Sequence, residues 1–250
     1  MTHPDASPPP MGMDATVSTE PGTLRERILD RALERFNAEG IEYVGIRDLA
    51  RDLGIKGGNI TYYYPTKDDL VAAVGLRLRE LNDRTIRVPE HPSLLAYMRM
   101  LRQAFRNHWR FRCLFMSMPN LMAQNVALSA TYVGPVEKGR RRVIGDYLER
   151  LQDAGLLDPG LREEERERIV GFIGLASRGW IGDASVSFRD RSPEWCMAYY
   201  LRVVVDHLRG FATASGMRQL ARFEAELADG PRGGAPDGSS PTPGADQRQG

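Results

Sequence analysis

Residues Ile46–Lys67 read IRDLARDLGIKGGNITYYYPTK, and this stretch decides the architecture. Two short helices, Ile46–Leu53 and about 57–64, are expected on either side of a turn at Gly54, with Pro65 closing the second. Two short helices joined by a glycine-containing turn form a helix-turn-helix corner. In such corners the second helix lies in a DNA major groove, with its early side chains at base edges. Residues 23–70 as a whole carry eight basic against nine acidic side chains. Leu53–Lys67, however, holds Lys56 and Lys67 and no acid. A surface meant to face phosphates needs that local balance.

Upstream, Thr23-Leu-Arg-Glu26 is a capping box, with a threonine to accept from exposed amides and a glutamate to reach back. Leu24, Ile28, Leu29, Ala32, Leu33 and Phe36 follow at helical spacing until Gly40. Downstream, Thr66 caps a longer helix with Asp69 at its third position and Leu70, Val71, Val74, Leu78 and Leu81 as its apolar stripe. Pro89 and Pro92 break it. Further helices are expected at about 93–112, 120–131, 136–154, 162–187 and 193–213, with a last amphipathic piece at Met217–Leu227. The predicted fold is all-α: a three-helix unit at 23–70 and a helical domain at 71–228. Residues 1–22 and 229–250, rich in Pro, Ser, Thr and Gly, are expected to be disordered tails.

Composition narrows the function classes. The 250-residue chain is 42% hydrophobic and 27% charged, with a net charge of +1. Nucleic-acid binding must therefore come from a local patch. The two cysteines, Cys113 and Cys196, lack neighbouring ligands, so no metal is expected, and so few thiols suit a reducing cytoplasm. No apolar run approaches a membrane span.

The series Phe36-x-x-x-Gly40, Ile46-Arg-Asp-Leu-Ala50, Leu53-Gly-Ile55, Gly58-Asn-Ile60, an aromatic cluster, then Pro65-Thr-Lys67-Asp-Asp-Leu70 resembles the N-terminal domain of the TetR family over residues 24–71. The resemblance implies a repressor-like homodimer on near-palindromic operator DNA, with a helical effector domain. It implies that Arg47 reaches a base from the first corner helix. Gly57, Gly58, Asn59, Thr61, Tyr62 and Tyr63 then stand near DNA, Ile60 and Tyr64 hold the reading helix on the core, and Lys67 contacts a phosphate. Tyr62 and Tyr63 are each open to a core role as well. Lys56, Gly45 and Thr61 depart from the family's frequent Ser, Thr and Tyr. Lys56 then adds a phosphate contact, Gly45 lacks a hydroxyl for the backbone, and Thr61 has a methyl suited to thymine. These departures bear on the operator sequence.

The stretch Asn107–Leu128 resembles a subgroup of TetR-type effector domains. Met98, Phe105, Trp109, Phe115, Met116, Met118 and Met122 mix aromatics with flexible thioethers, a combination that lines adaptable pockets as well as ordinary cores. A small apolar effector is expected there, near Trp180 and oriented by His108, with Asn120, Gln124 and Asn125 as further polar candidates. Gly171, Gly174, Gly179 and Gly182 within Ile169–Gly182 allow close approach of another helix. The family pairs its last two long helices, which implies a dimer interface at 162–187 and 193–213, with Trp195, Tyr199 and Val203 opposite the glycines.

Two rival readings stand against this one. An enzyme lacks support: there is no G-x-S-x-G, H-E-x-x-H or P-loop, the four histidines are scattered, and no catalytic residue or cofactor is assigned. A DNA-binding helical scaffold without an effector keeps the dimer and loses the pocket.

Overall fold

The computed structural model describes residues 23–124 and 135–228. The expected terminal tails, the end of the helix read at 120–131 and the side chain of Asn125 lie outside the described residues. Within them the chain is all-helical, with eleven helices and one isolated bridge between Leu157 and Ala212.

The head is built from α1 (Leu24–Glu39), α2 (Ile46–Asp52) and α3 (Gly57–Tyr63), with α4 (Lys67–Thr85) packed on α1. The capping box forms at Thr23 and Glu26: the Glu26 amide donates to the Thr23 hydroxyl at 3.3 Å, and the Thr23 amide donates to Glu26 at 2.8 Å. Thr66 and Asp69 repeat the device at the start of α4. Gly54 takes φ +65°, the left-handed conformation that the corner requires. Ile28, Phe36, Leu49, Ile60 and Leu70 fill the space between these helices and are essentially buried.

The body comprises α5 (Leu94–Arg110), α6 (Arg112–Met116), α7 (Met118–Gln124), α8 (Pro135–Asp153), α9 (Glu163–Ser187), α10 (Pro193–Arg209) and α11 (Ala214–Ala228). Helix α5 is its centre, packing against α4, α9, α10 and α11. The segment from Arg112 to Gln124 is more helical than its sequence predicts. Pro119 sits at the second position of α7, where its missing N–H has no intrahelical partner to lose. Buried Phe111 separates α5 from α6.

Helix α10 ends at Arg209, four residues before the expected end, because 211–213 pair with the loop after α8. The Asp158 amide donates to Phe211 O at 2.8 Å, and the Thr213 amide to Leu156 O at 3.1 Å. Gly216 in α11 lies against that loop: a Cβ there would stand 2.1 Å from Leu156 O, so only glycine fits without moving backbone.

Candidate functional site

The reading surface is assembled by two anchors. Ile60 is fully buried, and burying such a side chain is worth about 1.5–3 kcal/mol. Tyr64 is also buried and donates its hydroxyl to Arg25 O at 3.3 Å; burial pushes its pKa up. These anchors turn the other side of α3 outward. Lys56, Gly58, Asn59, Thr61, Tyr62 and Tyr63 are exposed, Tyr62 at 81% and Tyr63 at 37% with its ring edge-on to Tyr62. Gly57 is half-buried, and a Cβ at Gly57 or Gly58 would meet nothing within 4 Å. No packing within the described chain requires these two glycines, and they leave the first turn of α3 bare.

Charge is partitioned in the same way. Arg35 is bonded to Glu39 and Asp52, Arg51 pairs with Asp48 at 2.6 Å, and Arg77 pairs with Asp30. Arg47 and Lys56 are exposed and form no ion pair among the described residues. Asp48 also accepts from the Gly45 amide at 3.1 Å, which lowers its pKa and satisfies the N-cap amide, while Gly45 has no side chain to accept from the first-turn amides. Lys67 is half-buried and donates to Glu42 O at 3.2 Å. Tyr43, which the sequence pattern does not single out, stands 80% exposed in the turn before α2. Its only signal is an aromatic beside a helix start, a pattern that buried residues also show, as Phe111 before α6 does.

Two joints connect head to body. The first is α4 itself, whose far end enters a buried polar chain. Asn82 donates to His108 Nε2 at 3.3 Å, Asn107 donates to Asn82 Oδ1 and Thr85 Oγ1 at 3.0 Å each, and His108 Nδ1 lies 2.9 Å from Ser177 O. A carbonyl accepts only, so Nδ1 carries the proton and Nε2 accepts. The pKa of His108 is lowered to about 4, chiefly by burial, with Arg140 and Arg178 adding to the effect. At the second joint, Asn37 at the end of α1 donates to Arg110 O at 2.8 Å and accepts from the Cys113 amide at 3.0 Å. Glu42 accepts from Ser117 Oγ at 3.1 Å and Asn120 Nδ2 at 3.4 Å. Its pKa is lowered, first by its own backbone amide.

Beside the second joint lies a cavity of about 440 Å³ between the end of α1, α6 and the α9–α10 turn. Of the residues expected to hold an effector, Trp109 and Met116 line it. Met98, Phe105 and Trp180 are core instead, with Phe105 stacked on Trp180 at 5.5 Å. Phe115 is buried against His108 at 4.4 Å, and Met122 packs on the core from α7. His108 lines a separate cavity of about 60 Å³. The 440 Å³ cavity also takes walls from Phe36 and Phe188, far apart in sequence, which no local pattern reveals.

The expected pairing face divides. At about 100° per residue, Gly171, Leu175, Gly179, Gly182 and Val186 fall within about 80° on α9. Leu175 is 67% and Val186 71% exposed, and a Cβ at Gly171, Gly179 or Gly182 would meet nothing within 4 Å. Gly174 points elsewhere: it lines the smaller cavity, and a Cβ there would stand 3.2 Å from the Arg178 guanidinium. On α10, Tyr199 and Val203 are exposed, while Trp195 is half-buried and stacked on Tyr199 at 5.6 Å.

Among the described residues no helix is long and apolar enough to cross a membrane. Residues 28–74 match the family model for bacterial regulatory proteins of the tetR family, and residues 78–220 match the TetR model of bacterial transcriptional repressors. No curated protein matches the sequence. Solved structures do. A TetR-family transcriptional regulator from Marinobacter aquaeolei VT8 is 19% identical with a TM-score of 0.75, over 82% of this chain and 99% of that one. The ketosteroid transcriptional regulator KstR2 of Mycobacterium tuberculosis is 16% identical with a TM-score of 0.57, over 79% and 99%. A transcriptional regulator from Saccharomonospora viridis in complex with choline is 18% identical with a TM-score of 0.60, over 76% and 97%. At these identities the likeness is one of fold.

Proposed function

Because the chain belongs to the TetR family and is a DNA-binding transcriptional regulator, we propose that it is a cytoplasmic repressor, binding a near-palindromic operator as a homodimer and released by a small, mostly apolar molecule. One observation carries the effector part. Helix α4 follows α3 after a three-residue turn and terminates in the buried Asn82–Asn107–His108 chain of the body. A rigid element anchored at both ends transmits a change in the body to the reading helix.

In this reading Lys56, Tyr62 and Lys67 contact phosphates, Arg47 reads a base, and Gly57, Gly58, Asn59, Thr61 and Tyr63 border the groove. Gly171, Gly179, Tyr199 and Val203 face the second subunit, with Leu175 between the glycines and Val186 one turn beyond Gly182. Gly174 and Trp195 lie at or behind the edge of that face. The effector enters the cavity beside Trp109 and Met116. Trp180, Phe105 and Phe115 pack behind Trp109 together with His108, which ties them to α4, while Met98 belongs to the core and Met122 packs on it.

Release requires the effector to prefer the state in which the two reading helices no longer fit successive grooves. A preference of ~3 kcal/mol reduces operator affinity ~100-fold, and operator must weaken effector binding by the same factor. Effector affinity is therefore to be measured with and without operator. A reciprocal loss supports the reading; equal affinities show that the bound molecule is no effector.

A further inference from the structure

We propose that the cavity beside the second joint selects an organic anion with an apolar body, such as an alkyl or aryl carboxylate, so that the effector is an amphipathic acid; this rests on the effector reading above. The apolar part of the argument is the wall, where Trp109 and Phe188 face the space together with side chains of the α1 end. The anionic part is the charge of the lining. Arg112, Arg189 and Arg191 all line the cavity, and among the described residues no Asp or Glu does.

None of these three arginines forms an ion pair among the described residues. Arg112 stacks over Trp109 at 4.9 Å and donates to Asn37 O at 3.2 Å. Arg189 donates to Ser185 O in the last turn of α9, at 3.1 Å, and Arg191 stacks over Trp195 at 5.0 Å. Four body arginines elsewhere are matched with carboxylates, Arg99 with Glu226, Arg141 with Glu167, Arg178 with Glu137 and Arg209 with Glu224, while Arg106, Arg150, Arg202 and Arg222 form no ion pair among the described residues; what sets Arg112, Arg189 and Arg191 apart is that they share one cavity. Three cations lining one partly apolar cavity repel each other, and a planar carboxylate accepts a charge-assisted pair of hydrogen bonds from one guanidinium while its remaining lone pairs serve the others. A small inorganic anion leaves the apolar volume unfilled, and a neutral apolar molecule leaves the charge uncompensated. A volume of about 440 Å³ is in the range of small-molecule pockets.

The position supplies a route to DNA. An anion that draws Arg112 away from Asn37 O loosens the joint that also holds Glu42 on Ser117. The carbonyl of Glu42 in turn holds the Lys67 ammonium.

The test is calorimetric titration of the full-length protein with straight-chain carboxylates of six to twelve carbons and with 2-naphthoate, each beside its neutral amide. The expected result is saturable binding of at least one carboxylate, at least tenfold weaker binding of its amide, and at least a tenfold loss of carboxylate affinity in R189Q/R191Q with amide binding unmoved. Melting temperature is read alongside. Should R189Q/R191Q fail to fold, Ser185→Trp, which fills the cavity from an exposed position, is expected to abolish carboxylate binding. Amides that bind as tightly, carboxylates that ignore these substitutions, or no binding by any compound would overturn the proposal. Operator release by an amide alone overturns the anion and leaves the effector reading standing. Selective carboxylate binding without change in operator affinity supports the anion site and overturns the effector reading.

Discussion

The reading helix of the head and the joint between α4 and the body place their polar side chains in opposite ways. In the head, the groups that matter are neighbours in sequence and turned to solvent: Lys56, Asn59, Thr61 and Tyr62 lie close together in sequence and are exposed around the single buried Ile60. At the joint between α4 and the body they are distant in sequence and turned inward, as in the chain Asn82–Asn107–His108–Ser177. A DNA-reading unit needs an exposed row on a short rigid helix. A signalling unit needs buried, fully partnered contacts that exist in only one arrangement, since an unpaired buried polar group is costly.

The contrast is tested most severely at the face where body helices are exposed like the head. Leu175→Glu with Val186→Glu is expected to yield monomers by sedimentation and to lower operator affinity by ~100-fold or more, because two half-sites no longer act together. Gly179→Leu is expected to weaken the dimer by overpacking. Gly174→Leu instead disturbs Arg178 and leaves the dimer in place. A monomer from Gly174→Leu but not from Gly179→Leu would reverse the assignment of that face.

The buried body network is expected to be sensitive to pH in a way the head is not. The folded-state pKa of His108 is depressed to about 4, so its neutral form contributes fully above the unfolded value of about 6.5, and that contribution is lost as pH falls through about 4. Body stability should therefore decline across that window by up to ~3 kcal/mol, at about 1.36 kcal/mol per pKa unit. His108→Gln should flatten the decline. An unchanged slope of denaturation midpoint against pH assigns the acid sensitivity to other groups.

The head is legible in the sequence because its information is local. The capping boxes at Thr23 and Thr66, the turn at Gly54 and the buried pair Ile60 and Tyr64 are each set by residues within a few positions. The body is legible only as helices. Phe36 and Phe188 meet at one cavity because α1 docks on α6 through Asn37. Nothing in the spacing of either aromatic announces that meeting. The methionines and aromatics of α5 read one by one as core and together as a pocket lining, and packing sends Met98 and Phe105 to the core while leaving Trp109 at the cavity. Likewise, Gly174 is separated from Gly179 by helical phase, which only the neighbouring α8 and Arg178 turn into a difference of role.

Within the head the expected effects are smaller and differ in kind. Arg47→Ala should cost roughly 1–3 kcal/mol and relax preference at one position per half-site. Lys67→Ala should weaken operator and random DNA alike and reduce the slope of log affinity against log salt by about 0.9 for each phosphate no longer neutralised. If Arg47→Ala affects both DNAs equally, Arg47 belongs with the phosphate-binding side chains.

The central claim, that α3 reads DNA from both subunits of a dimer, is tested most directly by selecting bound sequences from a random DNA pool with the full-length protein. Enrichment of a near-palindrome whose half-sites repeat about 34 Å apart, or at a multiple of that spacing, is the predicted result. Recovery of unrelated sequences, or of single half-sites with no preferred spacing, would contradict it.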